Sequence, residues 1–217
     1  MMTSLFSSFD PSSKLFQMNW MMMFSPTLIL PMNFWMKKSR CLMIKMNFKK
    51  KIYKEFLNST KHKEMMYLSI SMMIMILTNN FMGLFPYTFT STSHITLNMA
   101  LAMPTWMMLM FYGWMNFSNS MFKHLLPTGT PSMIMPMMII IETTGNLIRP
   151  ISLSVRLTAN MIAGHLLMTL LGNLNSYKMI MLILPMQIFL MMFESAISII
   201  QAYVFSTLIT LYSSEIP

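Results

Sequence analysis

Residues 139–167 read IIIETTGNLIRPISLSVRLTANMIAGHLL. Within this apolar run Glu142, Asn146, Arg149, Arg156 and Asn160 follow one another at separations of 4, 3, 7 and 4. On a helix of 3.6 residues per turn those steps stay on one face. Hydrocarbon solvates neither a carboxylate nor a guanidinium, so the stripe must look onto protein or water. Pro150 lies inside the stripe and is expected to bend or locally break the helix. Ala159, Ala163 and Gly164 are small enough for a partner helix to approach closely. His165 lies nine positions beyond Arg156, half a turn round and about 13 Å along, so the two should not be direct partners. On spacing alone His165 reads first as a hydrogen-bonded core residue, and Glu142 with Arg149 can be a purely structural pair.

The next apolar segment repeats the design. Gln187, Glu194, Ser198 and Gln201 are spaced 7, 4 and 3, and Ser195, Ala196 and Ala202 are small. Glu194 has no cation nearby in its own helix, and a carboxyl in such a setting can bind and release a proton. Arg156 cannot usefully deprotonate and is a fixed positive charge, suited to attracting a carboxylate.

Around these two segments the chain of 217 residues is 55% hydrophobic and 10% charged. Soluble domains are about 25% charged, so an ordinary water-soluble fold is excluded. Stretches 15–36, 65–86 and 95–117 are each long enough to cross a bilayer once, which takes about 20 residues. Stretches 131–175 and 179–213 would form helices of roughly 50–65 Å, against a hydrocarbon core of about 30 Å. Each must tilt steeply, break or fold back, and the short linker Leu174–Lys178 favours a helical hairpin. The expectation is an all-α polytopic membrane protein with five passages.

The net charge of +9 is concentrated in one place. Ten of the fifteen basic residues lie between Lys37 and Glu64, which with Glu55 and Glu64 leaves +8 there. Such a segment reads as a positive-inside anchor touching anionic lipid, which puts the N-terminus on the opposite side. Its apolar residues Leu42, Met43, Met46, Ile52, Tyr53, Phe56 and Leu57 fit an amphipathic surface helix only in part. Nucleic-acid binding is the weaker reading of so short a basic loop. No GxGxxG or GxxxxGK[ST] string is present, so nucleotide chemistry must lie on another chain, and no cofactor is expected. The single Cys41 excludes an internal disulfide or a multi-cysteine metal site. The 34 methionines are spread without a repeated ligand spacing and read as apolar filler rather than a soft-metal path. His62, His94 and His124 fall in expected loops and read as solvated.

SVRLTANMIAGHLL (154–167) followed by ESAISIIQAYVF (194–205) closely resembles subunit a of the mitochondrial F-type ATP synthases, in an arthropod-like form. TNNFMGLFPYTFT (78–90), HITLNMALAMP (94–104), LLPTGTP (125–131) and IIETTGNLIRP (140–150) carry the same likeness in the same order. The family's fold implies a first span at 15–36, a matrix-surface helix at 37–64, two spans in 65–117, and a steeply tilted hairpin at 131–213 curving round a ring of c subunits.

The resemblance implies a proton-translocating stator subunit of the mitochondrial inner membrane with no nucleotide site of its own. Its N-terminus would face the intermembrane space, and its partners would be the c-ring, other Fo and peripheral-stalk subunits and lipid. Arg156 matches the family's essential arginine. By the same analogy His165 and Glu194 line the half-channel open to the intermembrane space and Glu142 the matrix-side one, with Asn160 and Gln201 near the arginine. In bacterial relatives the residue types at the positions of His165 and Glu194 are exchanged, which argues for a proton-binding pair. Many relatives carry a neutral polar residue where Arg149 stands. The rival classes are an antiporter-like subunit of a respiratory complex and a passive anchor. The first calls for lysines in broken helices, which the last two segments lack, and the second has no need of two polar stripes.

Overall fold

A computed structural model describes residues 5–12, 17–29, 39–60, 63–85, 88–126, 129–173 and 180–216. Among them are seven α-helices and no strand: α1 (Ser25–Ile29), α2 (Arg40–Ser59), α3 (Lys63–Gly83), α4 (Ile95–Asn116), α5 (Ser118–His124), α6 (Met135–Asn173) and α7 (Ile180–Glu215). Three 3-10 segments, Leu5–Phe9, Met18–Phe24 and Ser91–Ser93, complete the described secondary structure. Helices α3, α4, α6 and α7 are long and apolar enough to cross a membrane. The protein is an all-α polytopic membrane protein. Stretch 15–36 falls partly outside the described residues; its described part is the 3-10 segment running into α1. The linker 174–178 also lies outside them.

Helix α2 starts where Ser39 caps it, its hydroxyl accepting from the Leu42 N–H at 3.3 Å. Leu42, Ile52 and Phe56 turn inward, and Ile52 and Phe56 pack with Met66, Ile70 and Met73 of α3. Met43, Ile44, Phe48 and Leu57 stay exposed among the lysines. This second apolar strip explains the poor fit of the basic segment to a single amphipathic face.

Helix α3 packs most extensively on α7. The reason is a seam of small side chains on α7: Ser198, Ala202, Ser206, Thr210 and Ser213 are all buried. Without a hydrophobic drive between helices in lipid, close van der Waals approach supplies the attraction. The seam's hydroxyls disappear into their own helix, Ser198 donating to the Ser195 carbonyl at 2.8 Å and Ser206 to that of Tyr203 at 2.8 Å. Met65 and Ile76 of α3 close over Ala202, Phe205 and Ile209. Replacing Ala202, which has no exposed surface, by leucine should overpack this seam and cost about 1–3 kcal/mol. Thermal denaturation of the purified complex checks this, and an unchanged midpoint would refute the close-approach account.

Helix α6 is continuous over 39 residues, with Pro150 buried inside it. Of the bend or local break expected at Pro150, a break does not occur. A proline removes one backbone hydrogen bond, and packing holds the rest where no water competes for the freed carbonyl. Helix α4 lies against α6 and α7 runs beside it. At about 1.5 Å per residue α6 is roughly 58 Å long, so it fits a bilayer only when strongly inclined. Helix α5, which periodicity did not reveal, folds back on α4. Met121 of α5 packs against Gly113, where a Cβ would lie 3.3 Å from the methionine side chain.

Candidate functional site

The polar stripe of α6 meets α7 at three stations, at progressively lower α7 numbers. Arg149 reaches Glu215, Asn160 donates its amide to the Gln201 carbonyl oxygen, and Gly164 abuts Glu194. That order is the register of an antiparallel hairpin, read from side chains alone.

At the first station Arg149 Nη1 lies 2.7 Å from Glu215 Oε2, and Nη2 lies 3.7 Å from Glu142 Oε1. The guanidinium sits 4.8 Å from the centre of the Tyr212 ring. Two carboxylates against one guanidinium leave this cluster with a formal charge of −1. It borders a cleft of about 400 Å³, together with Asn146 of α6 and Trp106 of α4. Glu142 and Arg149 do pair, and the pair is open to that cleft, with 44% of the Glu142 side chain exposed. Glu215 belongs to neither polar stripe. It stands 66 residues from Arg149, beyond the reach of helical periodicity.

At the far station Glu194 is buried, with 8% of its surface exposed, and its Oε1 has no hydrogen-bond partner among the described residues. His165 Nε2 is likewise buried without one. The two do not form an ion pair, but they line the same cavities, one of about 580 Å³ reaching the chain's N-terminal residues and one of about 130 Å³ extending toward Asn160. Buried polar atoms are normally bonded to protein or water, so these chambers are suited to hold water. Glu194 reaches its place because Gly164 has no side chain. A Cβ there would lie 3.0 Å from the Glu194 carboxyl carbon and 3.1 Å from Oε1. In the sequence Gly164 stands out only as a small residue that eases helix packing.

Between the two stations Arg156 is exposed on the outer face of α6 and makes no hydrogen bond or ion pair among the described residues. Ser152, Ala159 and Ala163 beside it are exposed and small, and Val155 is exposed too. The face is therefore shallow enough for another helix to bring a side chain up to the guanidinium. Next along, the Nε2 of Gln201 is buried and unpartnered. The sequence-derived residues thus form a row: Glu142 in one cleft, Arg156 outside, Asn160 with Gln201, then His165 with Glu194 in the other chamber.

Two features escaped the sequence reading. His94 is not solvated. Its Nε2 lies 2.9 Å from the Phe9 carbonyl oxygen, and its ring packs on Trp20 and Phe89 with centroids 5.1 and 5.3 Å away. Its side chain closes a contact between segments 85 residues apart, which no local pattern reveals. Asn80 and Asn98, in apolar helices, are fully enclosed with unpartnered amide atoms. The asparagines of TNN in an otherwise apolar span were the available signal. The side chains of His62 and His124 lie outside the described ones.

The family model of the ATP synthase A chain matches residues 15–214. The chain belongs to that family. It is 50% identical to the ATP synthase subunit a of Drosophila melanogaster over 223 residues, with both chains covered completely. The subunit a proteins of Anopheles quadrimaculatus and Aedes albopictus are 50% and 51% identical over 225 residues, again with full coverage of both chains. As an ATP synthase A chain it belongs to ATP synthesis and ion transport, and its long apolar helices make it a multi-pass component of a membrane complex. Among the described residues no group of three or more histidine, cysteine or acidic side chains could hold a metal ion.

Proposed function

We propose that this subunit carries protons through two half-channels that meet a rotating ring of c subunits at Arg156, in the inner mitochondrial membrane. The observation that carries the reading is the separation of the two titratable clusters by an exposed guanidinium that is unpaired among the described residues. From Arg156 it is about 10 Å along α6 to Arg149 and about 13 Å to His165.

Protons enter from the intermembrane space through the chamber of His165 and Glu194. Glu194 accepts a proton and returns it, by way of water, to a ring carboxylate arriving at the neighbouring face. A neutral carboxyl can enter lipid at small cost, whereas a carboxylate cannot, so protonation lets the ring turn away from Arg156. After nearly a full turn the carboxyl reaches the cleft of Glu142 and Glu215, releases its proton toward the matrix, and is held ionised by Arg156. The excess negative charge of that cleft favours the departing proton. Each charge that crosses gains about 2.3 kcal/mol per 100 mV, which rotation conveys to catalysis on other subunits. The +8 segment 37–64 then lies on the matrix side and the N-terminus faces the intermembrane space. Asn160 and Gln201, bonded to each other, brace the hairpin one turn from the arginine.

Replacing Glu194 by glutamine keeps its size and removes its ability to bind a proton. Proton-driven ATP synthesis should fall by about 100-fold, the lower range for losing a positioned acid–base group, with the complex still assembled. Unchanged synthesis would refute the reading. Purification of the intact complex should also retain a ring of small proteolipids, and its absence would refute the proposed partner.

A further inference from the structure

The larger chamber is not closed by the transmembrane helices alone. The 3-10 segment Leu5–Phe9 lies against α6. Ser7, Ser8, Asp10 and Ser12 line the same cavity as His165 and Glu194. The Phe9 ring stands edge-on to His165, at 6.3 Å between centroids and 88° between planes. The Phe9 carbonyl in turn accepts from His94, whose ring is fixed by Trp20 and Phe89. A 3-10 segment of five residues has no stability of its own, so these contacts determine where it sits.

The composition of this wall is unlike that of the helices around it. Its cavity-lining residues other than Phe9 are three serines and a carboxylate, and Asp10 is the one acidic residue of positions 1–36. Asp10 is exposed as well as cavity-lining, so it borders both the outside and the chamber. Among the described residues His165 and Glu194 are the other titratable groups of that chamber, with His94 behind Phe9; Lys14 lies outside the described residues. A carboxylate at the mouth of a low-dielectric cleft raises the local concentration of cations, including the hydronium ion. It can also take a proton from bulk water and release it to water inside, being regenerated with each transfer.

We propose that residues 5–12 form the outer wall of the chamber containing His165 and Glu194, that Asp10 is the proton-collecting carboxylate at its mouth, and that His94 is the positioning residue that holds this wall in place. The proposal rests on the proton-path reading above and assigns its entry point. Residues 5–12 lie ahead of the stretch 15–214 that the family model matches.

The test uses the assembled complex in mitochondrial membranes, with ATP synthesis measured against the pH on the intermembrane-space side. Asp10→Asn should lower the rate about tenfold at high pH, the lower range for electrostatic focusing, and progressively less as protons become abundant. Asp10→Glu should restore most of the rate. His94→Phe, which keeps an aromatic ring but loses the bond to Phe9, should reproduce the loss with the Asp10 carboxylate intact. An Asp10→Asn rate and pH profile equal to those of the unmodified complex would overturn the proposal. If Glu194→Gln abolishes synthesis in the same membranes, the proton-path reading stands without it; if Glu194→Gln is also silent, that reading itself falls. Should Asp10→Asn impair assembly, Ser12→Cys in a Cys41→Ser background can be labelled afterwards with a bulky impermeant thiol reagent. Labelling from the intermembrane-space side should block synthesis, and labelled complex with full activity would equally overturn the proposal.

Discussion

Replacing Arg156 by alanine is expected to abolish coupled ATP synthesis and to raise passive proton leak, with the complex intact. Both effects have one cause. Arg156 is exposed and unpaired among the described residues, so its removal leaves no orphaned partner in this chain and no cavity in its core. What disappears is the fixed charge between the two chambers. An arginine beside a carboxylate changes its proton affinity by a factor of about 10 to 1,000, which is the factor by which proton release to the exit cleft should slow. On the proposed path, a ring carboxylate without that charge beside it can also pass this point still protonated, carrying protons across without rotation being enforced. Synthesis should therefore fall to background while dye-reported proton uptake in energised vesicles collapses faster. Arg156→Lys should retain less than full coupling, because an ammonium can lose its proton where a guanidinium cannot. Coupled synthesis at the unmodified rate in Arg156→Ala would remove the basis for the two-channel reading.

The second large effect is expected at a residue with no chemistry of its own. At Gly164 a single Cβ would lie 3.0 Å from the carboxyl carbon of Glu194. Valine adds two further methyl groups at that point, an overpacking worth about 1–3 kcal/mol that the carboxylate relieves by swinging away. A proton-transfer group displaced beyond hydrogen-bond reach is lost to the path. Gly164→Val should thus lower synthesis about as far as Glu194→Gln does, and Gly164→Ala should fall between it and the unmodified complex. Assembly measured on native gels separates this from misfolding. If Gly164→Val assembles and supports normal synthesis, Glu194 is not confined by α6 as described.

The position of Glu215 has a smaller consequence. Breaking its 2.7 Å bond to Arg149 by Glu215→Gln leaves Glu142 as the one carboxylate on that guanidinium among the described residues. Both side chains are partly exposed, so the structural effect should stay within about 1 kcal/mol, and a larger change in the rate of synthesis would reflect the exit path rather than folding.

Much of the fold was legible because lipid imposes local rules. A helix in hydrocarbon satisfies its own backbone, so run length and charge alone delimit α3, α4, α6 and α7. The +8 segment is equally local, and so is the stripe from Glu142 to Asn160, since helical periodicity joins residues at most a few turns apart. The family likeness implies roles for Arg156, His165, Glu194, Glu142, Asn160 and Gln201 that spacing could not suggest. The failures were of another kind. A local break at Pro150 was one of two outcomes its poor helix propensity suggests, and packing carries α6 through it unbroken. His94 looked solvated because its partners, Phe9, Trp20 and Phe89, come from two other segments and its own loop.

By itself, then, the sequence determined that this protein is helical and membrane-embedded, where its basic charge is concentrated, and which few polar side chains lie where lipid makes them costly. Only the tertiary structure decided which of those side chains share a chamber. It put Glu194 against Gly164 and in one chamber with His165, joined Arg149 to Glu215, left Arg156 exposed and unpaired among the described residues, and brought Asp10 to the lining of that chamber. The physical reason is range: burial and periodicity act along one helix, whereas the pairing of two helix faces depends on side-chain shape at contacts dozens of residues apart, which no local pattern encodes.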